Sequence, residues 1–207
     1  MDWSENEEPA GERTEDRRER ILHAALEVFA RRGFHQAQLD EIAKAAGVGK
    51  GTIYRYVPDK EGLLLEAIRH AMQVHERRVR ERVEAARDTR ERLYQLFYQD
   101  LAYFRENETL ARVFFAERAA LGFGRSFTKG MAELRQSRRK LLLAVLGEGQ
   151  RDGTLRQDVA AEHLAHVVMG MVGGVIFDVL FDDGPPFDPE EAAQTYLELF
   201  LRGAGTP

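Results

Sequence analysis

Lys50, Thr52, Tyr54 and Arg55 stand within one short stretch, interleaved with the small Gly51. Cations at that density neutralise phosphates or donate to guanine, hydroxyls reach phosphate oxygens, and glycine removes bulk where a helix must approach a groove wall. The residues just before them say how such a set would be held. Leu39, Ile42, Ala43 and Ala46 fall at i, i+3, i+4 and i+7, the apolar stripe of a short amphipathic helix. Gly47 follows, where a helix needs a residue tolerant of positive φ to stop, and Val48 is expected to tuck into the core at that turn. A second short helix from Gly49 would then carry the polar set on its outer face. Two helices joined by a glycine turn make a helix-turn-helix, whose second helix lies in the major groove. DNA contact is therefore expected at Lys50, Gly51, Thr52, Tyr54 and Arg55, with Lys60 nearby at the next helix start. Tyr54 through its hydroxyl and Lys60 through its charge suit phosphates, while Lys50, Gly51, Thr52 and Arg55 suit bases or groove walls. Tyr56 is expected to pack beneath the helix. The plainer alternative is an ordinary solvated helix face.

The whole chain of 207 residues carries a net charge of −5, which alone argues against a nucleic-acid partner. The distribution argues otherwise: between Arg13 and Lys60 there are ten cationic and seven acidic side chains, a modest basic patch on an acidic body. With 43% hydrophobic and 31% charged residues the chain has the composition of a globular protein. The absence of cysteine excludes a disulfide framework and a thiolate metal site. The acidic first residues are not expected to act as a secretory signal, and the longest apolar run, Val167 to Phe177, is too short to span a bilayer. A cytoplasmic location without membrane contact is expected.

The elements that must position the polar set read as all-α, about nine helices with no strand. Residues 1–12 read as a disordered arm. Thr14 is placed to cap a first helix with Ile21, Ala25, Leu26, Val28 and Phe29 inward, ending at Gly33. Pro58 and Asp59 open a helix whose stripe is Leu63, Leu64, Ala67, Ile68 and Ala71. Asp88 begins a helix with Leu93, Leu96, Phe97, Leu101 and Phe104 at helical spacing. Leu110 to Leu121 follows, then Phe127 to Leu146, which is expected to end in a glycine-rich turn from Gly147 to Gly153. Ala160 to Phe181 is the most apolar helix, and Asp188 with Pro189 opens the last. The organisation is thus a helix-turn-helix domain over 13–57 and a helical bundle over 58–207.

The run Gly33-Phe34, Ile42-Ala43, Ala46-Gly47-Val48, Lys50-Gly51-Thr52-Ile53-Tyr54, Tyr56, Lys60-Glu61 and Leu63-Leu64 resembles the DNA-binding domain of TetR/AcrR-type transcriptional regulators. The resemblance covers roughly residues 14 to 70; beyond them only length and helical pattern are similar. It implies a homodimer that binds a palindromic operator and releases it when a small molecule fills the C-terminal domain. It also implies that Gln38, standing where the family more often has threonine, contacts a phosphate in altered form. Gly49 replaces the usual serine cap and Val57 the usual aromatic. Gly33-Phe34-His35-Gln36 and Glu133-Leu134-Arg135-Gln136-Ser137 are similar to segments of the branch that represses fatty-acid degradation genes, which implies a fatty acyl-CoA as effector.

Three further features bear on function. Phe97, Leu101, Phe104, Phe115, Phe127 and Met131 form an aromatic and flexible apolar set that can enclose a ligand, with Arg118, Arg135 and Arg138 available to an anionic head group; a plain core is the alternative. Gly170, Gly173 and Gly174 need a packing reason inside a helix, since each costs about 1 kcal/mol there. The family resemblance implies a dimer interface there, with Leu197, Phe200 and Leu201 as its facing apolar surface; a helix buried within one subunit is the alternative. Neither His163 with His166 nor His70 with His75 has a matched carboxylate or third ligand at motif spacing, so no metal site and no catalytic residue is expected. Gly147-Glu148-Gly149 is followed by no lysine and is no phosphate loop, and the run Glu76 to Arg82 reads as a solvated helix face laced by i,i+4 pairs. The reading is a one-component, ligand-responsive repressor that needs no cofactor. The alternatives are a helical small-molecule binding module without operator binding, and an enzyme, against which the missing nucleophile–base set argues.

Overall fold

The computed structural model describes residues 10–108, 111, 125–181 and 187–205. Among them are eight helices: α1 (Ala10–Gln36), α2 (Leu39–Ala45), α3 (Lys50–Tyr54), α4 (Lys60–Ala85), α5 (Thr89–Glu106), α6 (Arg125–Arg151), α7 (Ala161–Phe181) and α8 (Pro189–Ala204). There is no strand among the described residues, only an isolated bridge between Leu155 and Gly205. None of these helices is long and apolar enough to cross a membrane. The helix expected from Leu110 to Leu121, with Phe115 and Arg118, lies outside the described residues except for the buried Ala111. The chain divides into two compact units between His70 and Ala71, inside α4.

In the first unit the buried side chains come from all four helices. They include Ile21, Leu22, Ala25, Val28 and Phe29 of α1, Ile42 and Ala43 of α2, Ile53 of α3, and Leu63, Leu64 and Ile68 of α4. Arg18 reaches Glu66 at 3.0 Å and Arg31 reaches Glu41 at 2.6 Å, tying α1 to α4 and α2. α1 starts at Ala10, four residues before the expected cap at Thr14, so residues 10–12 are helical and not part of a disordered arm. Ala10, Glu12 and Arg13 are good helix formers, and the helix propagates through them across Gly11 at a cost of about 1 kcal/mol. At its other end Gly33, with φ 72° and ψ 160°, breaks the helix where the sequence places a stop.

The turn between α2 and α3 is set by Gly47 at φ 67°. Val48 N–H donates to Ala43 carbonyl at 2.9 Å and Gly47 N–H to Lys44 carbonyl at 3.2 Å. This is the paired bonding of a Schellman ending, in which a left-handed residue satisfies the last helical carbonyls. Val48 is only half-buried there. Gly49 then caps α3 in extended geometry, and Asp59 caps α4 by accepting from Gly62 N–H at 2.7 Å.

The second unit buries Val79 and Val83 of α4, Leu93, Leu96, Phe97 and Leu101 of α5, Leu142 and Leu146 of α6, Leu164 and Val168 of α7, and Leu197 and Phe200 of α8 in one cluster. Asp88 and Asp188 cap α5 and α8 through backbone N–H groups at 2.8 Å. Two expectations need correction. α6 does not stop at Leu146: it runs through Gly147 and Gly149 to Arg151, and the left-handed glycine is Gly153 at φ 80°. Gly149 is there for closeness, since a Cβ on it would lie 2.6 Å from Thr89 Cγ2 and 2.8 Å from Leu155 Cδ1. Leu197 and Phe200 do not offer a surface to a partner: both are buried, and the Phe200 ring meets that of Phe97 at 6.3 Å.

Gly149→Ala is expected to destabilise the fold by about 1–3 kcal/mol through overpacking against Thr89 and Leu155. Gly147→Ala, where a Cβ meets nothing within 4 Å, should be neutral or stabilising by up to about 1 kcal/mol. Urea unfolding of the pair measures both, and equal effects would refute the close-approach role of Gly149.

Candidate nucleic-acid interface and ligand cavity

On α3, Tyr54 is 50% exposed, and Lys50, Gly51 and Arg55 are exposed with it, while Thr52 is half-buried. A Cβ at Gly51 would meet nothing, so the glycine leaves open surface and fills no internal need. Ile53 is the one fully buried side chain of α3 and fixes which face looks out. Tyr56, beyond the helix, is half-buried. Lys50 Nζ donates to Asp40 of α2 at 2.8 Å, and that hydrogen bond and charge raise its pKa above the ordinary lysine value. Gln38 is exposed at the N-cap position of α2 but makes no capping bond with its side chain. Lys60 differs from the others. Its Nζ donates to the carbonyls of His35 at 3.1 Å and Ala37 at 3.0 Å and lies 4.7 Å from the centroid of the Phe34 ring. Two of the three ammonium donors are thus spent on closing the chain that leaves α1.

The second unit holds a partly open cavity of about 160 Å³ among four helices. α4 contributes Met72, His75 and Glu76; α5 Asp100 and Phe104; α6 Leu134, Arg135, Arg138 and Leu142; α7 Val168, Met169, Val172, Gly173 and Ile176. Of the residues expected from sequence, Phe104, Arg135 and Arg138 line it. Phe97 and Leu101 are fully buried in the core, and Phe127 and Met131, each 4% exposed, are buried without being part of the lining. The contributions of α4 and α7 were not legible. His75, Val168 and Val172 carry no mark that separates a cavity wall from a core, although Gly173 is a glycine that the cavity explains.

One end of the cavity is polar. Asp100 Oδ1 is 2.8 Å from His75 Nε2, and Asp100 Oδ2 accepts from Arg138 Nη2 at 2.5 Å. The His75 ring stacks on Tyr103 with centroids 4.0 Å apart, and burial pushes the Tyr103 phenol up to about 12. Burial also works against the charge of Asp100, but the Arg138 guanidinium and the His75 hydrogen bond outweigh it and hold the carboxyl below its ordinary range. Histidine thus does have a carboxylate partner, supplied from 25 residues away and invisible to local spacing. Glu76 accepts from Ser137 Oγ at 2.7 Å and pairs with Arg80 at 3.4 Å, so the run after His75 is not only a solvated face. Arg138 Nη1 is buried with no acceptor among the described residues. An orphaned buried donor of this kind costs about 1–3 kcal/mol until something satisfies it.

Comparison with known proteins agrees with both halves of this description. Residues 21–67 match the family "Bacterial regulatory proteins, tetR family", and residues 86–204 match "Tetracyclin repressor-like, C-terminal domain". The fatty acid metabolism regulator protein of Bacillus subtilis is 25% identical over 183 residues, covering 88% of this chain and 93% of that protein. The transcriptional repressor KstR2 of Rhodococcus jostii is 27% identical over 191 residues, 92% of each. Among solved structures, the regulator FadR of Bacillus subtilis in complex with stearoyl-CoA superposes with a TM-score of 0.80 at 25% identity, covering 89% of this chain and 97% of that one. These relatives are regulators and not enzymes. The chain belongs to the TetR family of bacterial transcriptional regulators, with an N-terminal helix-turn-helix and a C-terminal helical domain.

Proposed function

We propose that the protein is a homodimeric repressor that reads a palindromic operator through α3 and lets it go when an apolar acyl ligand, such as a fatty acyl-CoA, enters the cavity of the second unit. The observation that carries this is the cavity itself, largely apolar with a polar end, in a chain similar to a regulator solved with stearoyl-CoA. α4 supplies three of the lining residues and, at its start, the Lys60 that holds the chain leaving α1. A ligand that repositions α4 acts on the same helix that anchors the reading head. To be effective it must bind the two states unequally, since tight binding alone shifts nothing.

DNA contacts are assigned to Gln38, Lys50, Gly51, Thr52, Tyr54 and Arg55, with Lys60 both a phosphate contact and a brace. Dimerisation is assigned to the outer face of α7. Val167 and Phe177 are 50% and 46% exposed and fall with the exposed Gly170 and Gly174 on one side of the helix. A Cβ at either glycine meets nothing within 4 Å among the described residues, which leaves their cost unexplained unless a second copy approaches. The partner would set two α3 helices about 34–36 Å apart, one turn of duplex.

Fluorescence anisotropy of a duplex from the DNA flanking the protein's own gene tests the reading. Binding should be salt-sensitive and reversed by stearoyl-CoA; a duplex held equally with and without acyl-CoA would reject the effector. Tyr54→Ala should weaken operator binding by about 1–3 kcal/mol and leave Tm nearly unchanged. Lys60→Ala should lower both affinity and Tm, because two carbonyls lose their donor. Gly174→Arg should convert dimers to folded monomers in sedimentation, with loss of operator affinity; intact dimers would refute the α7 interface.

A further inference from the structure

Two carboxylates and two guanidinium groups border the cavity, but they do not all pair with one another. Asp100 is answered by Arg138 at 2.5 Å, and Glu76 by Arg80 at 3.4 Å. Arg135 lines the same cavity, half-buried, with no acidic partner among the described residues. It lies three residues from Arg138 on α6, so the two guanidinium groups share a helix face. Arg138 is held in place at Nη2 by Asp100, whose other oxygen is held by His75, and its Nη1 is left buried and without an acceptor. Arg138 therefore lacks an acceptor for a fixed donor, and Arg135, one turn away on the same helix, lacks a negative charge beside it.

We propose that this arginine pair reads the acyl oxygen of the ligand, so that the site selects an apolar acid or its thioester over an equally apolar compound with no acyl oxygen. A carboxylate meets both needs at once, accepting from Nη1 and neutralising Arg135, with the fork geometry that guanidinium groups favour. A thioester carbonyl meets the first and leaves the second to charges elsewhere on the ligand. A hydroxyl is a weaker acceptor and brings no charge, and a cationic ligand would meet two like charges. Asp100 and His75 act on the ligand only through Arg138 and are positioning residues. The proposal rests on the cavity being the effector site.

Isothermal titration of the full chain with decanoate, decanoyl-CoA and decan-1-ol tests it. Decanoate, decanoyl-CoA or both should bind at least about tenfold more tightly than decan-1-ol, as a charge-assisted hydrogen bond requires. Preference for decanoate identifies a free carboxylate as the head; preference for decanoyl-CoA identifies the thioester oxygen. Arg135→Gln, which breaks no hydrogen bond or ion pair among the described residues, should cut the preference severalfold and change decan-1-ol binding little. Arg138→Gln should abolish it, and because the readout is a ratio of affinities, a general loosening of the fold cancels. Equal binding of all three, binding of none, or a preference that survives both substitutions overturns the proposal. Operator release, measured separately, keeps the two readings apart. Release by an uncharged compound would leave the effector reading standing while this one falls. Arginine-dependent acid binding without release would do the reverse.

Discussion

A carboxylate withdrawn from water has to have its charge answered close by, and at Asp100 that requirement ties three helices to one point. His75 comes from α4, Asp100 from α5 and Arg138 from α6, and no two of them are neighbours in the chain. Removing one member of such a buried set typically costs about 3–5 kcal/mol, because the charge left behind is stranded. The set therefore fixes how α4 and α6 lie against α5, and with that it fixes the polar wall of the cavity. The apolar walls are more permissive. Met72, Leu134, Met169 and Ile176 are flexible or branched side chains that can repack around different occupants. The cavity combines one rigid polar end with a soft apolar remainder.

How much of this was legible in the sequence depended on range. The helix-turn-helix is specified by neighbours: an i, i+3, i+4, i+7 stripe, a glycine at φ 67° and a cap at Gly49 all lie within sixteen residues of one another, and the structure has them where spacing put them. The caps at Asp59, Asp88 and Asp188 were equally local. The cavity is specified by residues on four helices, and nothing in the pattern around Phe97 distinguishes it from Phe104, although one abuts Phe200 in the core and the other faces the void. Aromatic periodicity locates a buried face without saying whether that face is filled.

Glycine was the other source of error, and for one reason. The same residue type ends a helix at Gly33 and Gly47, lets two segments touch at Gly149, and leaves space at Gly51, Gly170 and Gly174. Sequence shows only the missing Cβ. Whether that absence serves backbone conformation, close packing or an opening toward something outside the chain is decided by what surrounds it. At Gly149 the surroundings are Thr89 and Leu155, some sixty residues and six residues away, which is why the expected turn proved to be the last turns of α6.

The pairing of cations with acids around the helix-turn-helix has a consequence for ion exchange. Lys50 is engaged by Asp40, and Arg31 and Arg32 share Glu41. Any acceptor that recruits Lys50, base edge or phosphate, must displace a tethered carboxylate that is always present and never diluted. Some of the attraction of any duplex is spent on that displacement, whatever its base order. An acceptor of matched geometry repays that exchange and an arbitrary phosphate does not, so an internal counter-anion lowers indiscriminate adhesion more than recognition.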